Sequence, residues 1–399
     1  MNKTLSQDLD WRGLIKDKTF KDNNWLDKPR AFYLGIDASA DSLTVGNLGV
    51  ILLARRLVDA GWKSFFIMGG GTSLIGDPGG KNEERDLMSR QQIIKNIEGI
   101  RAQVTKLFRG EHYTLVDNYD WLSKLKYVDF LREVGKHFSM TELMQRDFVV
   151  DRMGRGGTGL SYAEFSYSLV QGYDFWHLFN SYGVQLQIGG SDQWGNLITG
   201  VSLIRKKEAK VAHALSMPLI INRTTGIKFG KSEGGAVWLH AAKTSPHDFY
   251  QFWINVDDDS VGDYLKKFTL LGKEEVAAVM TAFRLDKASR FAQKTLAYEV
   301  TKIVHGKDAA DQEKNQVDHH MFGTTHTAAV NMYIVDLLLE TGLALSKTGA
   351  RQLLASGGIY INDRQTNKAK LDKTDFVGGI LKLRRGKTLQ NTRIITLKK

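Results

Sequence analysis

Between residues 31 and 244 the chain alternates short apolar runs with longer stretches of helical period. The runs are 31–36 (AFYLGI), 64–70 (SFFIMGG), 113–117 (YTLVD) and 184–190 (VQLQIGG), and Gly or Asp closes or directly follows each. This alternation predicts βαβ units and a parallel sheet covered on both faces. Ligands of such sheets sit outside the carboxyl ends of the strands, which draws attention to 32–50 (FYLGIDASADSLTVGNLGV). There a strand over 31–34 should break at Gly35, pass through small and acidic residues, and enter a helix with Asp41 or Ser42 as N-cap. Glycine lets backbone come close to a ligand, and the open N–H groups of a helix start favour an anion such as phosphate. An ordinary βα turn has the same pattern.

Leu9, Trp11, Leu14 and Ile15 recur at helical spacing, predicting an N-terminal arm over 1–30 with one amphipathic helix. After Thr244 the strand pattern stops, and FYQFWINV, VGDYLKKFTLL, EVAAVMTAF and LAYEVTKIVH mark an all-helical region over 245–322. A linker is expected over 323–330. The final region, 331–399, carries SKTGARQLL as a helix, a Gly-Gly break, a strand, and two more basic strands around Arg385-Gly386-Lys387.

At 399 residues the chain is too long for one simple core. No run reaches the apolar length of a bilayer span, and residues 1–30 lack the apolar segment of a secretory signal, so a cytoplasmic location is expected. The absence of cysteine excludes disulfides, a thiol nucleophile and thiolate metal sites. The ten histidines show no ligand spacing, and no resident metal is expected. The net charge of +11 is concentrated: residues 346–399 hold 13 Lys and Arg against three Asp. So lopsided a segment reads as a polyanion-binding module.

The second run continues as IMGGGTSLIGDPGGK, which fails the P-loop spacing and admits no G-x-G-x-x-G. What remains is Asp77, a carboxylate near a strand end that would serve equally as a helix cap. In the helical stretch 161–176, Tyr167, Gln171 and Asp174 fall at i, i+4 and i+7 and share one face. Such a stripe is commonly surface or satisfied core, but a hydroxyl, an amide and an acceptor facing one way would also recognise a polar aromatic small molecule. Asp192 and Gln193 stand at the helix start after the fourth run, where a ribose or carboxylate would be held. The loop 228–232 (KFGKS) is small, basic and able to close over phosphates.

In order and spacing, FYLGIDASADSL, GDPGGK, NYDW (118–121), FSYSLVQGYDF, QIGGSDQWGN, KFGKS and SKTGARQLL resemble bacterial-type tyrosyl-tRNA synthetases of class I along nearly the whole chain. The resemblance implies an α/β, Rossmann-like catalytic domain, followed by an all-helical anticodon-side domain and a small α+β RNA-binding domain. It implies that Tyr33 and Asp174 hydrogen-bond the substrate phenol, that Asp77, Tyr167 and Gln171 hold its ammonium, and that Gln193 lies near its carboxylate. Gly35, Asp37, Gly46, Gly190, Asp192 and Lys231 would line the ATP site. Ser39, Thr44, Asn47, Lys81, Arg85, Lys228 and Lys231 would face the phosphates in the transition state, with Mg²⁺ accompanying ATP as counter-ion. Lys347 and Arg351 would contact tRNA. A homodimer is implied, with the surface around Tyr162 as its candidate interface.

The chain departs from the family at the first helix. The family's His-x-Gly-His reads Thr44-Val45-Gly46-Asn47, preceded by Ala38 and Ser39 in place of Pro and Thr, and Leu34 replaces a frequent cysteine. An amide at the second histidine still donates a hydrogen bond. A threonine at the first is too short to reach the same point, and losing one transition-state donor costs about 10² to 10³ in rate, about 3 to 4 kcal/mol. Two readings follow: a working ligase with a modified phosphate site, or a catalytically weakened relative acting as an RNA-binding protein or tyrosine sensor.

Overall fold

The computed structural model describes residues 4–78, 87–154, 157–221, 231–232, 235–322, 326–362, 364–377, 379–386 and 392–398. The four apolar runs are strands β2 (Ala31–Ile36), β3 (Lys63–Met68), β4 (Tyr113–Asp117) and β5 (Val184–Gly190). Two further strands, β1 (Asp17–Lys18) and β6 (His213–Met217), complete a sheet of order β1-β6-β5-β2-β3-β4. All its pairings are parallel except β1 with β6, so the N-terminal arm supplies an antiparallel edge. The expected break at Gly35 is not there: Gly35 and Ile36 stay in register with Ile67 and Met68.

Alternation along the strands divides the sheet between two cores. Phe32, Leu34, Ile36, Phe66 and Met68 face one core, which helices α1 (Leu5–Arg12), α2 (Val45–Asp59) and α3 (Arg90–Leu107) cover. Ala31, Tyr33, Phe65 and Ile67 face the other. Past β4 come short helices α4 (Tyr119–Leu122), α5 (Tyr127–Glu133), α6 (Met140–Met144) and α7 (Asp147–Met153), then the long α8 (Tyr162–Tyr182) and α9 (Trp194–Glu208). Phe175 and Leu178 of α8 and Ile204 of α9 cover Tyr33's side of the sheet.

Two-residue strands β7 (Lys231–Ser232) and β8 (Gly235–Ala236) pair with each other. The chain then runs antiparallel to the start of α2, with Val45 N donating to Val237 O at 2.9 Å and Leu239 N to Leu43 O at 2.9 Å. Helices α10 (Pro246–Ile254), α11 (Val261–Phe268), α12 (Lys273–Leu285), α13 (Phe291–His305) and α14 (Lys307–Phe322) follow. The apolar core under α2 and α3 continues unbroken into α10–α13.

The C-terminal region has its own core around α15 (Ile334–Glu340), α16 (Lys347–Ala355) and a five-stranded sheet. Its strands are β9 (His326–Ala328), β10 (Ile359–Ile361), β11 (Arg364–Gln365), β12 (Ile380–Arg385) and β13 (Thr392–Leu397), in the order β11-β10-β12-β13-β9. Strand β9 lies inside the stretch expected as linker. It runs parallel to β13, so His326 to Ala328 are part of the sheet.

Candidate active site

Helix α8 is fixed at both ends. Ser161 caps it, accepting from Glu164 N at 3.2 Å, and Gly183 closes it in the left-handed conformation at φ 68°. The helix passes straight through Gly172 and buries Tyr167 and Asp174, with Gln171 half-buried between them. Asp174 is 2% exposed, and its two oxygens are already occupied. Asn118 Nδ2 donates to Oδ2 at 2.9 Å and Trp121 Nε1 to Oδ1 at 2.7 Å. Trp121 in turn stacks on His177, one turn further along α8, at 4.5 Å and 21°. Burial pushes the Asp174 carboxyl up to about 7, although both hydrogen bonds pull the other way.

Tyr33 reaches toward this carboxylate from β2. Its ring lies 5.2 Å from Phe175, and its hydroxyl is buried with no hydrogen-bond partner among the described residues. Burial, and then the Asp174 charge, push the Tyr33 phenol well above its ordinary 10, so it stays a donor at physiological pH. Unmet buried hydroxyls are costly and rare. This one lies beside a carboxylate that can accept a further hydrogen bond.

A chain of hydrogen bonds leads from Asp174 to a second acid. Asn118 Nδ2 also donates to Thr72 Oγ1 at 3.1 Å, and Asn118 Oδ1 accepts from Gly71 N at 2.7 Å. Thr72 Oγ1 donates to Asp37 Oδ1 at 2.9 Å, and Tyr167 donates to Asp37 Oδ2 at 2.7 Å. Asp37 and Tyr167, expected at the nucleotide and the amino acid respectively, are thus directly bonded. Asp77 is buried and accepts from Gln193 Nε2 at 2.6 Å, while Gln193 Oε1 accepts from Asn196 Nδ2 at 2.9 Å; the residues it would cap as a helix start lie outside the described ones. Burial, followed by Asp37, Asp77 and Asp174, drives the Tyr167 phenol well above 10, so the three carboxylates share one neighbourhood.

Of the residues expected at the nucleotide, Gly35, Ser39, Gly46 and Asn47 are exposed at the carboxyl end of β2 and the start of α2. At Gly190, an added Cβ would lie 2.5 Å from Asp192 Oδ1, so the Asp192 carboxylate would have to shift to make room. Leu34 is buried on the opposite face from Tyr33. The cap of α2 differs from expectation. Asp41 instead pairs with Lys243, and Ser42 is buried, donating to Leu43 O and accepting from Gln103 Nε2. Thr44 occupies the N-cap, and Asn47 Oδ1 accepts from Thr44 N at 3.0 Å and from Thr44 Oγ1 at 2.9 Å. The two residues at the altered signature positions therefore bind each other.

Lys81, Arg85 and Lys228 lie outside the described residues; Lys231 enters through its backbone, β7 pairing it with Ala236. On α16, Lys347 is 3.1 Å from Asp336, and Arg351 is exposed. Asn118, Trp121 and Thr72 carry much of the geometry and were given no role from sequence. Their signal lay in the NYDW and GGGTS segments after two strand ends.

The family model for "tRNA synthetases class I (W and Y)" matches residues 26–321, and that for the "Tyrosine--tRNA ligase SYY-like C-terminal domain" matches 314–390. The chain is 42% identical over 383 residues to a Tyrosine--tRNA ligase of Streptococcus pyogenes serotype M12, covering 90% of this chain and 91% of that one. Among solved structures, a C-terminally truncated mitochondrial tyrosyl-tRNA synthetase of Aspergillus nidulans has TM-score 0.71 and 32% identity, covering 80% of this chain and 94% of that one. A tyrosyl-tRNA synthetase of Archaeoglobus fulgidus complexed with L-tyrosine shares the fold at TM-score 0.57 and 14% identity, covering 78% and 99%. A cluster of buried polar side chains beside a Rossmann-like sheet, and matches over nearly the whole length, lead to one conclusion: the chain belongs to the bacterial-type tyrosyl-tRNA synthetases, within the class I tRNA synthetases.

Proposed function

We propose that this chain is a tyrosine–tRNA ligase, activating L-tyrosine with ATP to tyrosyl-adenylate and pyrophosphate and transferring the tyrosyl group to tRNA(Tyr). The observation that carries the reading is the unpartnered Tyr33 hydroxyl next to Asp174, in a pocket that also gathers Asp37 and Asp77. Such a pocket suits a molecule with a phenol at one end and an ammonium at the other. The substrate phenol donates to Asp174 and accepts from Tyr33, so phenylalanine would leave the buried Tyr33 hydroxyl unmet. Asp77, Tyr167 and Gln171 face the ammonium, with Asp37 behind Tyr167, and Gln193 faces the carboxylate. No side chain attacks covalently. The tyrosine carboxylate displaces pyrophosphate, so these residues act by positioning and by stabilising charge.

ATP occupies the carboxyl ends of β2 and β5, between Gly35, Gly46, Gly190 and Asp192, and brings Mg²⁺ as its counter-ion. Lys81, Arg85, Lys228 and Lys231 neutralise the departing phosphates. Residues 31–244 form the catalytic domain, 245–322 the anticodon-side domain and 331–399 the RNA-binding domain, whose charge and exposed Arg351 suit tRNA. The chain acts as a cytoplasmic homodimer: α5–α8 expose Tyr127, Val128, Met140, Val150, Met153 and Tyr162, and the Tyr127 and Tyr162 hydroxyls meet at 3.4 Å. No helix among the described residues is long and apolar enough to cross a membrane.

The Thr44–Asn47 hydrogen bonds favour a second reading, a weakened relative that binds RNA or senses tyrosine, because they engage both signature side chains with each other. Tyrosine-dependent ATP–pyrophosphate exchange separates the two. Exchange well above that of Lys231→Ala, followed by charging of tRNA, supports the ligase; a rate equal to that variant supports the weakened relative.

A further inference from the structure

Arg90 is the first residue of α3, a turn without any acidic side chain. A cation there opposes the positive end of the helix dipole. Its placement is explained by what its head touches instead. Nη1 donates to Gly70 O at 3.2 Å, Nη2 lies 3.6 Å from Asp117 Oδ2, and the guanidinium carbon sits 3.7 Å from the centre of the Tyr119 ring. Asp117 Oδ1 also accepts from Tyr119 N at 2.9 Å. These contacts all fall on the ends of β3 and β4 and on α4.

Helix α4 has four residues and no side-chain cap, too little to hold its own shape. Yet Asn118, at its N-cap, and Trp121, inside it, supply both hydrogen bonds to Asp174. Arg90 is the external brace: a flat cation stacked on the residue between them and charge-paired with the residue just before. Its charge also faces Asp117, which opposes ionisation of Asp174.

Resting on the tyrosine reading of the pocket, we propose that Arg90 is a positioning residue for phenol recognition, acting through Tyr119 and α4 on the donors that orient Asp174, without touching substrate. The test is equilibrium dialysis of the full chain with radiolabelled L-tyrosine, L-phenylalanine and ATP, together with exchange kinetics. Arg90→Met should weaken tyrosine binding about tenfold, leave phenylalanine and ATP binding unchanged, and leave kcat at saturating tyrosine near wild type. Arg90→Lys keeps the charge but not the planar stack and should recover part of the loss. Tyr119→Leu should reproduce the Arg90→Met defect. A brace that only supported stability would lower the melting temperature without separating tyrosine from phenylalanine. The proposal is overturned if Arg90→Met changes ATP binding or kcat instead, if it changes nothing, or if Tyr119→Leu is silent. If the wild-type chain binds no tyrosine, the reading of the pocket falls first and the proposal with it.

Discussion

Replacing Asp174 by asparagine should make the free protein more stable in mildly alkaline solution while damaging its function. Asp174 is fully buried, and its carboxyl is raised from the ordinary 3.8 to about 7, chiefly by burial. Its ionised form is thus less stable in the fold by about 4 kcal/mol. Between those two values the unfolded chain has released a proton that the folded chain still holds. Stability therefore falls as pH rises through this window, and the full loss is reached above pH 7. From pH 5 to pH 8 the loss is about 3 kcal/mol. The substituted amide would carry no charge and show no such dependence. Its single oxygen can meet only one of the donors from Asn118 and Trp121, leaving the other facing an amide N–H₂ at a cost of about 1–3 kcal/mol. Urea unfolding of both proteins at pH 5, 6, 7 and 8, taken as a difference so that other carboxylates cancel, should shift by about 3 kcal/mol in favour of Asp174→Asn across the range. A difference that stays flat, or shifts the other way, refutes the argument. If, as proposed, the ionised carboxylate accepts the substrate phenol, tyrosine affinity of the wild type should rise about tenfold per pH unit below 7 and level off above, and the variant should lose that slope.

Tyr33→Phe removes a hydroxyl that has no partner among the described residues, so the free protein should keep or gain stability, by up to about 2 kcal/mol. The same change should weaken tyrosine binding about tenfold and narrow discrimination against phenylalanine, both measurable by exchange kinetics. Thr44→Val removes one of two hydrogen bonds to Asn47, and thermal unfolding should show a loss of about 0.5–1.5 kcal/mol. Arg152 and Glu164 form a buried pair at 3.1 Å between α7 and the first turn of α8, and Arg152→Met should cost about 3–5 kcal/mol in denaturant unfolding by leaving Glu164 buried without that partner. Arg351→Ala should weaken tRNA binding and flatten its dependence on salt concentration by just under one unit of log–log slope, whereas Lys347→Ala, already held by Asp336, should do less.

The sheet could be read because β2, β3, β4 and β5 announce themselves by apolar content, and the face of α8 because Tyr167 and Asp174 repeat at helical spacing. Strands β1 and β6 could not. A two-residue strand has no period, and β1 exists only because Asp17 and Lys18 find Ser216 and Leu215, far along the chain. The cap of α2 was misplaced for a related reason. Asp41, Ser42 and Thr44 are all good capping residues by type, and tertiary partners decide among them: Lys243 takes Asp41 and Gln103 takes Ser42. Asn118 is the clearest case. Nothing in its local sequence separates it from an ordinary turn residue, because its role comes from partners at Gly71, Thr72 and Asp174 that only the fold assembles.

Those partners explain why the pocket is acidic and yet holds together. Asp37 opposes the ionisation of Asp174, and Asp37, Asp77 and Asp174 all hold the Tyr167 phenol in its neutral form. Were these carboxylates merely clustered, the free protein would relieve the repulsion by protonation or by moving them apart. Instead each is held by donors of fixed geometry: Asn118 and Trp121 on Asp174, Thr72 and Tyr167 on Asp37, Gln193 on Asp77. These donors are neutral, and they orient the acids. The arrangement therefore favours a positive charge among the acids and a hydroxyl opposite Tyr33. A ligand that supplies only the charge, as phenylalanine does, leaves the Tyr33 end unsatisfied; a ligand that supplies only the phenol leaves the acids repelling one another. On the proposed reading of the site, selectivity for tyrosine follows from requiring both in one molecule.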